Sequence, residues 1–188
     1  IYELNRKFPG ITTNNGTRIL GHDITRSADG TFRISSRDYI IESARRFNVK
    51  SKNHTPLPAG IILHRLPKEE EHNPERRKKY QEITGVISWL ATTTRPDIAY
   101  AASALGQVAV NPSKQHMAYA LRTMGYLLRT CDYSIKYNQG NNTITAYADA
   151  SYADSLNTRS QSGYILMING APVSWRSKCQ NYVSLSTQ

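Results

Sequence analysis

Apolar residues recur in this chain in two rhythms, and the change of rhythm after Gly140 limits the possible folds more than any other feature. Between Tyr80 and Arg129 they return every three or four positions, the repeat of helices with one buried face. From Ile144 they alternate, with Ile144, Ala146 and Ala148 set against Thr145, Tyr147 and Asp149, which is the two-residue repeat of a strand. Helices and strands kept apart along the chain predict an α+β fold. The spacing predicts three helices, over residues 75–91, 97–110 and 113–129. In the last, Met117, Leu121, Met124 and Leu128 form a core stripe that needs no ligand. Two strands over 163–168 and 171–176 are joined by Asn169-Gly170, a strong hairpin signal.

The first third of the chain predicts a hairpin and a helix. Strands over 18–26 and 31–35 flank Ser27-Ala28-Asp29-Gly30. Ser35 or Ser36 then caps a helix over 37–47, with Asp38 in its first turn and Ile40, Ala44 and Phe47 on one face. Thr55-Pro56-Leu57-Pro58-Ala59-Gly60 is an extended connector. A last strand near 182–185 and a cap at Ser186 or Thr187 close the reading. Three segments result: 1–60, 61–138 and 139–188.

Charge narrows the partner. The 188 residues carry 24 Lys plus Arg against 14 Asp plus Glu, a net charge of +10 and a pI near 9.7. Residues 1–80 hold 16 of the basic and 9 of the acidic groups, so most of the positive field lies there. Such a balance favours an acidic partner, and nucleic acid is the commonest. The run Glu69-Glu70-Glu71 to Arg76-Arg77-Lys78-Lys79 reads as a solvated helix entry. Mean hydropathy is -0.55, and no apolar run approaches the roughly 18 residues of a bilayer-crossing helix, so no membrane partner is expected. Cys131 and Cys179 are too few for a disulfide framework or a four-cysteine zinc site. The opening Ile1-Tyr2-Glu3 has no Met and no leader, which suggests an excerpt of a longer, intracellular and unsecreted protein. His22, His54, His64, His72 and His116 show no paired ligand spacing, which disfavours a metal hydrolase built on them with Asp149 and Asp154.

One helix face stands out. At about 100° per residue, Tyr80, Ile83, Val86, Ile87, Leu90 and Ala91 share an apolar arc, while Gln81, Gly85 and Trp89 fall on the other side. A glycine inside a helix costs roughly 1 kcal/mol relative to alanine. An amide, a missing side chain and a flat ring at i, i+4 and i+8 suit close approach to a nucleic-acid minor groove. On geometry alone, packing of Trp89 beneath a neighbouring loop remains an equal alternative.

The run Gln81-Glu82-Ile83-Thr84-Gly85-Val86-Ile87-Ser88-Trp89 resembles the thumb helix of retroviral reverse transcriptases, whose Gln, Gly and Trp follow the template-primer minor groove. The longer stretch through Leu90-Ala91-Thr92-Thr93-Thr94-Arg95-Pro96-Asp97-Ile98-Ala99-Tyr100-Ala101 is similar to the Ty1/copia class of long-terminal-repeat retrotransposons. Asn111-Pro112-Ser113-Lys114, Thr55-Pro56-Leu57, Ser160-Gln161-Ser162-Gly163-Tyr164 and Asn169-Gly170-Ala171-Pro172-Val173-Ser174-Trp175 extend the resemblance over nearly the whole chain.

This resemblance implies the end of a reverse transcriptase palm (1–60), a thumb and connection (61–138), and the first strands of a ribonuclease H domain (139–188). It implies an RNA/DNA template-primer duplex and the rest of a Pol polyprotein as partners. Leu20, Gly21 and His22 match the primer grip, and Gln81, Gly85 and Trp89 the groove track. Asp149, in Asp149-Ala150-Ser151, matches the first ribonuclease H carboxylate, a ligand of Mg2+ if other carboxylates are supplied. Two departures are plain. No Asp-Asp pair of the polymerase site occurs in the chain, and a lone Asp149 cannot clamp two metal ions. The resemblance therefore implies Mg2+ chemistry in the complete parent enzyme but no cofactor and no catalysis from this chain alone. The alternative is a non-catalytic nucleic-acid-binding or inert remnant.

Overall fold

The computed structural model describes residues 17–61, 63, 73–151 and 160–180. The expected strand near 182–185 and the cap at Ser186 or Thr187 lie outside the described residues. The fold is α+β, with two antiparallel sheets and four α-helices among the described residues.

The expected strand over 18–26 is two strands, β1 (Arg18–Ile19) and β2 (His22–Arg26), which pair with each other across Leu20-Gly21. Leu20 and Gly21 have φ of 51° and 82°, the paired positive values of a tight hairpin turn. Leucine is a poor residue for that conformation, which hides the turn from a reading by residue type. β3 (Phe32–Ser35) pairs with β2 as expected, and the connecting loop is closed by a hydrogen bond from Gly30 N to Ser27 O and by Asp29 Oδ1 accepting from Thr31 N.

Helix α1 (Arg37–Arg46) buries Ile40 and Ala44, with Phe47 just beyond its end, as the pattern predicts. Ser36 stands at its cap position, but its side chain does not cap it. Helix α2 (Pro74–Thr93) begins with Asn73 accepting from Arg76 N, followed by Pro74, whose missing N–H costs nothing in a first turn. The helix expected over 97–110 is shorter: a 3-10 turn (Pro96–Ile98) leads into α3 (Ala99–Gln107). In α4 (Lys114–Arg129), Ser113 and His116 cap one another, each backbone N–H bound by the other's side chain. Its buried face is wider than the predicted stripe. Ala120, Thr123, Met124 and Leu127 are fully buried, while Met117 and Leu121 flank them, because α4 packs on both α1 and α2.

Strand β4 (Ser134–Tyr137) follows α4 and pairs with β3, completing a sheet of order β1-β2-β3-β4. One hydrophobic core joins the elements on either side of the 61–72 stretch: Ile40 and Phe47 of the α1 region, Leu57 of the connector, and the inner faces of α2, α3 and α4. Each fully buried Ile or Leu contributes roughly 1.5–3 kcal/mol.

The second sheet has the order β5 (Ile144–Ser151), β6 (Gln161–Ile168), β7 (Ala171–Cys179). Asn169 and Gly170, with φ of 50° and 77°, form the predicted turn. β7 docks on the helices through Trp175 Nε1, which donates to Ala91 O at 2.6 Å, while Gln161 Nε2 of β6 reaches Ser103 Oγ at 3.1 Å. β5 lies at the outer edge and is exposed along most of its length, with Ile144 and Tyr147 at 67% and 61% exposure. Amide hydrogen exchange is therefore expected to be faster in β5 than in α2 and α4, whose buried faces share the core. Equal protection would mean that the second sheet is covered by something the described residues do not include.

Candidate nucleic-acid interface

On α2 the apolar arc is inward and the other side is open. Tyr80, Ile83, Val86, Ile87, Leu90 and Ala91 are buried, whereas Gln81, Gly85 and Trp89 are exposed, Trp89 at 38%. A Cβ built on Gly85 meets nothing within 4 Å. No neighbour among the described residues therefore requires a glycine there. Gln81 is not wholly free for a ligand: its Nε2 donates to Ala109 O at 3.1 Å, which uses one of its two amide hydrogens. Tyr80, one residue earlier, points inward and donates to Leu105 O at 2.8 Å, and burial pushes its pKa far up.

The β1–β2 turn lies against the same helix. The His22 imidazole stacks on the Trp89 indole, with ring centroids 5.5 Å apart and planes 14° from parallel. Two residues reached by separate sequence arguments, 67 positions apart, are thus in contact. The alternative of Trp89 beneath a loop holds for one ring face only. Leu20, at the turn, is 78% exposed, and a Cβ built on Gly21 beside it would lie 3.9 Å from the Tyr39 ring. His22 Nδ1 lies 2.8 Å from Ser36 Oγ, which lies 2.7 Å from Thr94 Oγ1. Its Nε2 is buried without a hydrogen-bond partner among the described residues. Burial lowers the His22 pKa, and the charge of Asp23 offsets part of that.

Arg95, which sequence reasoning passed over, is the largest fully buried side chain. Its Nε and one terminal nitrogen donate to both oxygens of Asp97, at 2.9 and 2.7 Å. It also donates to the Thr130 carbonyl at 3.1 Å and to Thr130 Oγ1. The guanidinium lies 5.5 Å from the Tyr126 ring centroid and 5.3 Å from that of Tyr133, and Tyr126 OH donates to Asp97. Burial opposes ionisation of Asp97, but the Arg95 bonds and charge outweigh it and hold the carboxyl below its usual range. Nothing in one sequence separates such an arginine from a surface one.

Asp149 sits on exposed β5, opposite Gly163, with Oδ1 accepting from Ala150 N at 2.8 Å. It borders a cleft of about 520 Å³ between the second sheet and the start of α3, where Tyr100, Tyr147, Trp175 and Asp97 also line the wall. The Asp97 carboxylate is already engaged by Arg95 and Tyr126. Among the described residues no three His, Cys, Asp or Glu side chains come together as metal ligands. The donor set there does not fit the paired Mg2+ ions of a ribonuclease H centre, each of which needs several oxygens.

An exposed amide, glycine and indole beside a hairpin turn, on a strongly basic α+β chain, make up a surface suited to a duplex. Comparison with known proteins gives the family. A putative transposon Ty5-1 protein of Saccharomyces cerevisiae is 32% identical over 165 residues, 86% of this chain and 53% of that protein. The retrovirus-related Pol polyprotein from transposon TNT 1-94 of Nicotiana tabacum is 28% identical over 192 residues, 98% of this chain and 14% of its own length. A secreted RxLR effector protein 161 of Plasmopara viticola is 38% identical over 110 residues, 57% of this chain and 78% of that protein. The chain belongs to the Ty1/copia class of retrotransposon Pol polyproteins. It spans about half of the Ty5-1 protein and a small part of the tobacco polyprotein. No family model and no solved structure matches it. Among the described residues no helix is long and apolar enough to cross a membrane.

Proposed function

We propose that this chain supplies template-primer binding to an intracellular reverse transcriptase and ribonuclease H of the Ty1/copia class. In this reading Leu20, Gly21 and His22 are the primer-grip turn, α2 to α4 the thumb and connection, and β5 to β7 the opening strands of the ribonuclease H domain. The observation that carries it is the open side of α2, where a Cβ on Gly85 would meet none of the described residues and Trp89 remains exposed although the opposite face is fully packed. A helix interior that forgoes roughly 1 kcal/mol with no internal steric reason suits a face that something outside must approach closely. Polymerisation and RNA hydrolysis, with their Mg2+, belong in this reading to the parent polyprotein. Asp149 would then need carboxylates from outside the described residues.

The test is titration of the 188-residue chain with a labelled RNA/DNA hybrid at two salt concentrations. If about four phosphates are neutralised, affinity falls roughly 100-fold between 50 and 200 mM salt. Absence of saturable binding at low salt would favour an inert remnant, and binding to hybrid no tighter than to single strands would remove the groove-track assignment.

A further inference from the structure

We infer that His22 is a positioning residue for Trp89, holding the indole through a stack that Ser36 and Thr94 anchor, so that the β1–β2 turn and α2 present one joined surface. The near-parallel rings cover one face of an indole whose residue keeps 38% of its surface exposed. The imidazole in turn is fixed from behind, by Nδ1 to Ser36 Oγ and from there to Thr94 Oγ1. Thr94 directly follows α2, five residues beyond Trp89, so the hairpin is tied to the helix at two points rather than one.

The diversion of Ser36 is the telling detail. A serine at a helix cap ordinarily bonds the first-turn N–H groups and so stabilises the helix. Here it stands at the cap position of α1 and gives no such bond, its hydroxyl lying instead between His22 and Thr94. The Nε2 of His22 is also left buried without a partner among the described residues, a cost that a phenylalanine would not incur. Two local penalties accepted at one contact point to a need for ring placement as well as for packing. In the stack only a flat ring is required; the Nδ1 bond sets its angle.

The inference rests on the duplex-binding reading for its consequence in affinity, but the placement of Trp89 is tested without nucleic acid. Trp89 and Trp175 are the two tryptophans of the chain, so 5-fluorotryptophan labelling gives two fluorine resonances, assigned by Trp89→Phe. His22→Ala is expected to shift the Trp89 resonance, since the imidazole ring current is lost, while the Trp175 resonance stays in place and reports an intact fold. Affinity for the RNA/DNA hybrid should fall about 5-fold, as expected for an aromatic pair contributing near 1 kcal/mol. His22→Phe, which keeps a flat ring but cannot bond Ser36, should restore only part of that affinity. An unmoved Trp89 resonance in His22→Ala overturns the inference. If that variant does not fold, Ser36→Ala carries the same test, because it only unhooks the imidazole, and an unmoved Trp89 resonance there is equally fatal. A shifted resonance with no hybrid binding by the unmodified chain would leave the positioning intact and remove the duplex-binding reading.

Discussion

Replacing Arg95 by methionine should lower folding stability by about 3–5 kcal/mol, the usual cost of removing one partner from a buried charged pair. Methionine fills much of the same volume, so the loss is electrostatic and hydrogen-bonded rather than a cavity. It takes one of two donors from the Thr130 carbonyl, which keeps its bond from Tyr133 N, and leaves Tyr126 as the side chain that holds Asp97. The contact also spans the structure, joining the segment just beyond α2 to the turn before β4, so its loss loosens the seam between helices and the first sheet. Lysine is no substitute, since one ammonium cannot match both Asp97 oxygens and the Thr130 carbonyl together. Urea denaturation measures the loss directly, and a midpoint unchanged within error would show that Arg95 is compensated elsewhere. The pH dependence has a definite sign. The folded Asp97 pKa lies below its unfolded value, so its stabilisation is present above the unfolded value and disappears as pH falls through the folded one. In Arg95→Met, burial acts on Asp97 against the smaller effects of the Tyr126 and backbone hydrogen bonds, so this acid-side loss should flatten or reverse.

What could be read in the sequence was local. The helical face of residues 80–91, the Asn169-Gly170 turn and the buried trio Ile40, Ala44 and Phe47 follow from periodicity and turn chemistry, which neighbouring residues decide among themselves. What escaped was set by distant partners. β4 has only four residues and no strong alternation, and it exists because β3, a hundred residues earlier, offers a free edge. Leu20 adopts a positive φ because β1 and β2 pair across it, not because leucine favours it. Ser36 has every mark of a helix cap, yet its hydroxyl is drawn away by His22 and Thr94. At the candidate site the open face of α2 was legible because an amphipathic helix announces which side is out. The His22 stack and the Arg95 network were not, since each joins segments more than 30 residues apart.

Two substitutions on that open face should both weaken binding while moving stability in opposite directions. Trp89→Ala removes the ring that the duplex-binding reading places at the groove, and a fall of about 10- to 30-fold in hybrid affinity is expected, on the order of 2 kcal/mol, as for tryptophans central to an interface. Its effect on folding should be smaller, near 1 kcal/mol, because the residue is partly exposed and its main aromatic contact is the His22 stack. Gly85→Ala should do the reverse to stability. With open space where the methyl would go, the substitution gains up to about 1 kcal/mol of helix propensity. A backbone that must approach sugar and base edges loses that clearance, so the more stable variant should bind the hybrid less well. Thermal melting alongside hybrid titration separates the possibilities. A Gly85→Ala chain that melts higher and binds as before would show that nothing docks against that turn of α2, and a Trp89→Ala chain that unfolds yet retains affinity would make the indole a support for the hairpin alone.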